Sequence, residues 1–143
     1  MPKSYSSIWI HLIWTTKNRH PLLDKKFRRI LYRYIKLNCE EKGYLIDTIN
    51  GIEDHLHCLV RLLPGQKLSD MVRQIKGASS RWINVNGRLD LPFSWQRGYA
   101  AISVSPKQIN NIRNYIRNQE SHHEHWKLDE EFETLGISDW GVE

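Results

Sequence analysis

The segment that organises this chain reads GIEDHLHCLV, from Gly51 to Val60. It begins as a short turn and continues as a strand that opens with His55 and His57, two positions apart. Because side chains alternate faces along a strand, this spacing predicts that both imidazoles lie on one face of a sheet. Two imidazoles on a rigid face form half of a divalent-metal site. The same pattern also occurs where two ordinary polar residues line the wet face of a strand, so this stretch alone leaves both interpretations open.

Hydrophobic periodicity on either side of the segment predicts alternating strands and helices. In chain order we expect a strand over 6–15, a helix over 25–42, strands over 44–50 and 55–62 and a helix over 68–85. A strand over 93–104, interrupted near Arg97 and Gly98, and a last helix over 106–119 follow. The order β-α-β-β-α-β predicts an α+β, ferredoxin-like fold, with an antiparallel sheet, helices on one face and an added C-terminal helix. Residues 1–143 are expected to form one domain, with a polar tail from about residue 121 that either docks or stays flexible.

Capping signals and apolar stripes locate the predicted helix ends and faces. Asp24 is the expected N-cap of the first helix, and Ser105 with Gln108 predicts a capping box at the third. The predicted apolar stripe of the first helix consists of Phe27, Ile30, Leu31, Tyr34 and Leu37. The basic residues of that helix, Arg28 among them, are expected to form a solvated face. Small residues around Gly77 predict that another backbone approaches the second helix closely.

Composition and charge bound the class of protein. The chain has 143 residues, a net charge of +5 and a pI of about 9.3, which suits a polyanionic partner such as nucleic acid. No apolar run is long enough to span a bilayer, and the N-terminus lacks the apolar segment of a signal peptide, so we expect a cytoplasmic protein without a membrane partner. In that compartment Cys39 and Cys58 are expected to be buried thiols. Cys58 should face away from the two histidines.

The third predicted helix carries Tyr115 and Gln119, four positions apart and therefore on one face. A tyrosine beside a metal site is a candidate nucleophile, although a free phenol, with a pKa near 10, needs help to attack at neutral pH. A divalent cation on the attacked phosphate supplies such help. The amide oxygen of Gln119 is a hard ligand suited to Mg²⁺ or Mn²⁺ beside two imidazoles. The spacing alone also fits a packed tyrosine and a solvated glutamine.

With these residues in view, the chain resembles the small HUH transposases of bacterial insertion sequences that use a single catalytic tyrosine, the IS200-like or TnpA-like family. The resemblance extends from about Tyr5 to about His123. It is carried by five segments in the family's order, which are HLIWTTK at 11–17, DHLH at 54–57, IKGASSR at 75–81, WQRGY at 95–99 and YIRNQ at 115–119.

The resemblance implies a metal-dependent transposase that cleaves single-stranded DNA and transfers strands at element ends marked by hairpins. His55, His57 and Gln119 would be the ligands of Mg²⁺ or Mn²⁺. Tyr115 would attack the scissile phosphate and hold a 5′-phosphotyrosine, without water and without a nucleotide cofactor. It also implies a homodimer, in which the tyrosine helix often completes the partner's site through a flexible stretch near 103–106.

Several residues are candidates for contact with the DNA backbone, because cations and hydroxyl groups bind phosphate. The candidates are Lys17, Arg19, Arg73, Lys76, Ser79, Ser80 and Arg81. Tryptophan and tyrosine side chains could stack on unpaired bases. The first strand alternates, and the two predicted faces carry Ile8, Ile10, Leu12 and Trp14 on one side and Trp9, His11 and Ile13 on the other. His11 is expected to be a sheet-face residue with an ordinary hydrogen bond.

Four alternatives remain open on the sequence. The first is a non-catalytic nucleic-acid-binding module on the same fold, and the second is a phosphodiesterase that uses water. The second normally needs more carboxylates, and Asp54 is expected to point away from the histidine face. The third is a metal site at His122, His123 and His125. The fourth is a domesticated relative of the transposases that acts on repeated chromosomal hairpins.

Overall fold

The computed structural model describes residues 3–87 and 89–121. The elements are β1 (Trp9–Thr15), α1 (Lys25–Glu41), β2 (Leu45–Gly51), β3 (His55–Arg61), α2 (Leu68–Asn86), β4 (Ala100–Val104) and α3 (Ile109–Arg117), with 3₁₀ turns at Lys17–Arg19 and Pro106–Gln108. The strands form one antiparallel sheet in the order β2-β3-β1-β4. This confirms the predicted α+β, ferredoxin-like fold. In the described part, no helix combines the length and apolar character needed to cross a bilayer.

The two faces of the sheet have different roles. Leu12 and Trp14 of β1 and Cys58 of β3 belong to the main core, which α1 and α2 cover. Residues at alternate positions point to the opposite face, where Leu59 of β3 packs with Ile116 of α3. The alternation predicted for β1 and β3 is therefore confirmed. The sheet separates a two-helix layer, which stabilises the fold, from a face that carries the histidines and the tyrosine helix.

The buried face of α1 differs from the predicted stripe. Asp24 caps the helix as expected, because its carboxylate accepts from the backbone N–H of Phe27 at 2.9 Å. The buried apolar residues, however, are Leu31, Ile35 and Cys39, whereas Ile30 and Leu37 are 57% and 56% exposed. The prediction was therefore correct for Leu31 and for Phe27, which packs against the core, and wrong for Ile30 and Leu37. The line 31-35-39 has the four-residue spacing of one helix face, and the apolar side chains beside it obscure that line in the sequence.

Arg28 is the second departure in α1. It is only 7% exposed, and the expected solvated position was wrong. Its guanidinium donates to the carbonyl of Leu23 at 3.0 Å and to Glu120 Oε1 at 3.1 Å. Burial of a charge is tolerated where it is paired and hydrogen-bonded, and both conditions hold here. The partner carboxylate lies more than ninety residues further along the chain, so local periodicity does not reveal it.

The predicted strand over 93–104 is regular only after its expected interruption near Arg97 and Gly98. β4 begins only at Ala100, and upstream Trp95 forms an isolated bridge to Thr16. The Trp95 indole donates to the buried hydroxyl of Ser79 at 2.9 Å. Ser79 is thus the small residue that another segment approaches, whereas at Gly77 no described atom outside the adjoining helix backbone lies within 4 Å of the Cβ position.

The start of the last helix and the two thiols complete the fold. In place of the predicted capping box, the backbone N–H of Gln108 donates to the carbonyl of Ser105 at 2.9 Å in the 3₁₀ turn.

Cys39 and Cys58 are both buried free thiols, as expected. Burial raises the pKa of Cys39 to about 12, and it raises the pKa of Cys58 well above the ordinary thiol value.

Candidate active site

The two histidines of β3 lie on one face of the sheet, as their spacing predicts. His55 and His57 are fully buried, and their ring centroids are 5.2 Å apart. Both Nε2 atoms are buried as well. The interpretation as two solvated polar residues is therefore wrong, because both imidazoles are shielded from solvent on the face of the sheet that α3 covers. Leu56, between them, and Cys58, directly after them, point into the core on the other side.

The turn before β3 is fixed by close backbone packing. A Cβ atom on Gly51 would overlap the backbone of His55 and Leu56, so the tight return of the chain requires glycine there. On the other side, Thr16 at the end of β1 donates from its backbone N–H to the carbonyl of Asp54 at 2.8 Å. Contacts from Gly51 on one side and Thr16 on the other thus fix the backbone around His55.

Asp54 orients the first imidazole. His55 Nδ1 lies 2.7 Å from Asp54 Oδ1, and because a carboxylate accepts, the ring donates its hydrogen from Nδ1. The lone pair of a neutral His55 is then on Nε2, the atom that binds metals in such carboxylate–histidine pairs. The prediction that Asp54 points away from the histidines was wrong. Asp54 precedes the strand and lies in the turn, where strand alternation does not apply.

His11 of β1 is a site residue that the sequence interpretation missed. Its Nε2 lies 2.8 Å from Nδ1 of His57, and the two ring centroids are 5.0 Å apart. His11 is 1% exposed. The signal was present in the sequence, because the alternation predicted for β1 already placed His11 on the face opposite Leu12 and Trp14. The expected ordinary hydrogen bond exists, and its partner is a candidate metal ligand.

Tyr115 projects from α3 toward His57 and His11. Its ring centroid is 5.8 Å from that of His57 and 6.0 Å from that of His11, both in edge-on arrangements. The helix is held over the sheet by its apolar side chains Ile109, Ile112 and Ile116, which pack on Leu59. The phenol lies 58 residues after His57 and 104 residues after His11 in sequence, yet the three side chains are neighbours within one chain.

Gln119 lies just beyond the regular part of α3. The helix ends at Arg117, the chain turns at Asn118, and residues 119–121 are helical again. Gln119 is fully buried, and its amide nitrogen donates to the carbonyl of Tyr115 at 3.5 Å. Its interpretation as a solvated side chain is wrong. The proposed metal role of its amide oxygen stays a prediction.

Polar contacts hold α3 against the sheet. Arg113 donates to both carboxylate oxygens of Asp47 in β2, at 2.8 and 2.9 Å. Asn50, also in β2, donates from its side-chain amide to the carbonyls of Ile116 and Arg117, each at 3.0 Å. These bonds fix the axial position of the helix, and with it the height of Tyr115 above the strands.

The Asp47–Arg113 pair makes the docking of α3 dependent on pH. The hydrogen bond from Arg113 holds the pKa of Asp47 below its usual value. The pair therefore stabilises the fold above the unfolded-state pKa of about 4, and this contribution is lost as the pH falls through the lower folded-state value. We expect Asp47→Asn to lower the urea midpoint at pH 7. The difference from the parent should vanish in acid, and an equal difference at every pH would contradict the assignment.

A family model described as "Transposase IS200 like" matches residues 4–119. The chain belongs to the IS200-like transposase family. The resemblance inferred from five segments is thereby confirmed, and the chain is an enzyme of the transposase class.

Two curated relatives show the same membership. The transposase is 29% identical over 114 residues to the ISDra2 transposase TnpA of Deinococcus radiodurans, across 76% of this chain and 81% of that protein. It is 27% identical over 114 residues to the transposase for insertion sequence element IS200 of Salmonella typhimurium, across 76% and 74%.

Solved structures agree with the fold. A crystal structure assigned as a transposase from Deinococcus radiodurans R1 has a TM-score of 0.66 and 28% identity, covering 83% of this chain and 98% of that one. A REP-associated tyrosine transposase bound to a REP hairpin has a TM-score of 0.64 over 100% of this chain and 91% of that one. Its identity is 17%, so this likeness concerns the fold alone.

The candidate metal ligands of the transposase combine nitrogen and oxygen donor atoms. His55 and His57 offer imidazole nitrogens, and Gln119 offers an amide oxygen, a combination that Mn²⁺ and Mg²⁺ accept. Among residues 3–87 and 89–121, no group of three His, Cys, Asp or Glu side chains is placed to hold a metal. The alternative site at His122, His123 and His125 lies outside the described residues.

The candidate DNA contacts divide into exposed side chains and side chains that bond to the segment before β4. The exposed ones are Lys17, Arg19, Arg73 and Arg81, of which Arg19 lies 3.9 Å from Asp54 and Arg73 lies 3.4 Å from Asp70. The ammonium of Lys76 instead donates to the carbonyls of Gln96 and Gly98, at 2.7 and 2.8 Å. Ser79 is buried against Trp95, and the hydroxyl of Ser80 lies 3.4 Å from the carbonyl of Phe93. These three residues hold the segment before β4, and the exposed cations are better placed to meet a phosphate.

Proposed function

We propose that this transposase cleaves and rejoins single-stranded DNA at hairpin-marked ends, with Tyr115 as its nucleophile. The observation that supports this most directly is the position of the Tyr115 ring, 5.8 Å from His57 and 6.0 Å from His11. A phenol beside imidazoles that suit a cation is the arrangement that tyrosine-based phosphoryl transfer requires. The relatives named above are transposases, which agrees with this chemistry.

The proposed reaction exchanges one phosphate ester for another. The Tyr115 oxygen attacks the scissile phosphorus, and its proton passes to solvent. The bond to the 3′ oxygen breaks, and that oxygen takes up a proton from solvent. The products are a 5′-phosphotyrosine and a free 3′-hydroxyl. In the second step a 3′-hydroxyl attacks the phosphotyrosine, which restores a phosphodiester and releases the phenol. Because the ester energy is conserved, neither water nor a nucleotide cofactor is consumed.

We further propose that His55, His57 and Gln119 hold Mg²⁺ or Mn²⁺. The bound cation would offset the negative charge that develops on the phosphate, which phosphoryl transfer needs more than acid–base chemistry. The chain itself provides the positioning: β3 fixes the imidazoles, and the hydrogen bonds from β2 fix α3. Positioning of this kind contributes a large part of the rate in such reactions.

The net charge of the protein and its membership of the transposase class both favour DNA as the proposed substrate. The net charge of +5 suits a phosphate backbone, and exposed Lys17, Arg19, Arg73 and Arg81 are the proposed contacts. A hairpin is the feature bound by one transposase of the same fold. We also carry forward the homodimer as a proposal. Since the phenol and imidazoles of one chain already lie together, a single chain can supply the nucleophile and the histidines.

The test is a covalent-adduct assay on natural DNA. Each strand of the two genomic flanks of the gene is supplied single-stranded, labelled at either end, with Mn²⁺ or with EDTA. We expect an SDS-resistant protein–DNA complex on one strand, dependent on the metal and carrying only the label downstream of the cut. The upstream fragment should end in a 3′-hydroxyl that a polymerase extends.

Other outcomes would contradict parts of the proposal. Attachment of the upstream fragment would reverse the polarity of the reaction. Cleavage without any protein-linked product would favour a hydrolytic phosphodiesterase. No reaction on any flanking strand, in a preparation that binds those strands, would favour a non-catalytic binding module.

A further inference from the structure

We propose that His11 is a positioning residue that sets the tautomer and ring orientation of His57 for metal binding. This inference rests on the proposed metal role of His57. His11 lies on β1, directly beside β3 in the sheet, and it points to the same face. It would not touch the metal or the phosphate, and its effect would pass entirely through the neighbouring imidazole.

The geometry of the two imidazoles supports this role. His11 Nε2 and His57 Nδ1 are 2.8 Å apart, and both side chains are at most 1% exposed. A buried hydrogen bond of this length restricts rotation of both rings. It occupies the Nδ1 atom of His57 and leaves Nε2, also buried, on the far side of the ring.

The direction of the bond follows from what a metal ligand needs. A neutral imidazole carries one N–H and one lone pair, so His57 can bind through Nε2 only if its hydrogen is on Nδ1. That hydrogen is then donated to Nε2 of His11, and His11 carries its own hydrogen on Nδ1. His11 therefore serves as the acceptor that selects the binding tautomer.

The other candidate ligand has the same arrangement with a different acceptor. His55 donates from Nδ1 to the carboxylate of Asp54 at 2.7 Å. Both imidazoles thus have an acceptor at Nδ1, one from a carboxylate in the turn and one from a histidine on the adjacent strand. Such acceptors orient metal-binding histidines and raise their basicity. The matching pattern on two neighbouring ligands makes a purely structural role for His11 a poor explanation.

The test compares two polar replacements that differ in reach. In His11→Gln the side-chain amide oxygen can occupy the place of Nε2, whereas in His11→Asn the shorter amide reaches only the place of Nδ1. Mn²⁺ is titrated into each protein without DNA, and free Mn²⁺ is followed by electron paramagnetic resonance. We expect the Asn variant to bind Mn²⁺ about 10- to 100-fold more weakly and the Gln variant to bind like the parent. Thermal unfolding in EDTA reports on the fold of each variant.

The outcomes separate this inference from the proposed function. If both variants bind Mn²⁺ like the parent, or both lose affinity equally, His11 does not act through an acceptor at Nε2 and the inference is wrong. His57→Ala is titrated in parallel. If it retains the parent affinity, the metal role of His57 fails and the inference fails with it. If it loses affinity while His11→Asn does not, only the role of His11 is overturned.

Discussion

Tyr115→Phe is expected to abolish the covalent protein–DNA complex while DNA binding stays at the parent level. The change removes one oxygen atom and keeps the ring that lies 5.8 Å from His57, so packing in this part of the sheet is preserved. Without a nucleophile the cleavage rate should fall by about 10³-fold or more, as it does when other covalent enzymes lose theirs. The adduct assay measures the rate, and a gel-shift titration in EDTA measures binding.

The matched control removes the phenolic oxygen of a different tyrosine, Tyr34. Tyr34 of α1 is stacked on Trp82, with a centroid distance of 5.3 Å, on the opposite face of the sheet. Tyr34→Phe should therefore form the complex at the parent rate. An adduct that persists in Tyr115→Phe would show that another residue attacks the phosphate. Loss of the complex in both variants would point to a general effect on the fold.

His57→Ala is expected to lower cleavage by about 10²-fold or more, because loss of cation binding removes several kcal/mol of charge stabilisation. The variant should also stop responding to added Mn²⁺. His57 contacts His11 and packs near Tyr115, so the measurement must include the urea midpoint, to separate loss of the ligand from loss of the fold.

Cys58→Ala is the control for truncation in β3. Cys58 is the next residue along the strand, and it is equally buried, but it faces the helix layer. This variant should lose some stability and retain metal-dependent cleavage. Parent-level cleavage in His57→Ala would remove this histidine from the proposed site, whatever happens in the control.

Local patterns were sufficient wherever the structure follows simple periodicity. The alternation of β1 and β3 correctly separated the core side of Leu12, Trp14 and Cys58 from the histidine side. Tyr115 lies on the side of α3 that packs on Leu59 and His57, whereas α3 ends at Arg117 and Gln119 is buried beyond that end. The order of elements was enough for the topology, since a β-α-β-β-α-β chain has few acceptable arrangements.

The features that the sequence did not reveal depend on partners distant in the chain. Arg28 is buried because Glu120 and the carbonyl of Leu23 surround its guanidinium. His11 belongs to the site because the sheet register brings it beside His57. Asp54 turns toward His55 because the chain has not yet entered the strand. In each case the deciding contact comes from tertiary packing or turn geometry, which periodicity does not encode.

Alkylation of the two buried thiols, Cys39 and Cys58, can be used to follow unfolding of the protein. Only thiolates react readily with alkylating reagents, and burial disfavours that form for Cys39 and Cys58 alike. Iodoacetamide should therefore modify these side chains only while the helix layer is open. The rate of alkylation at fixed reagent concentration then follows the free energy of opening, and it reports on each active-site variant without any introduced label.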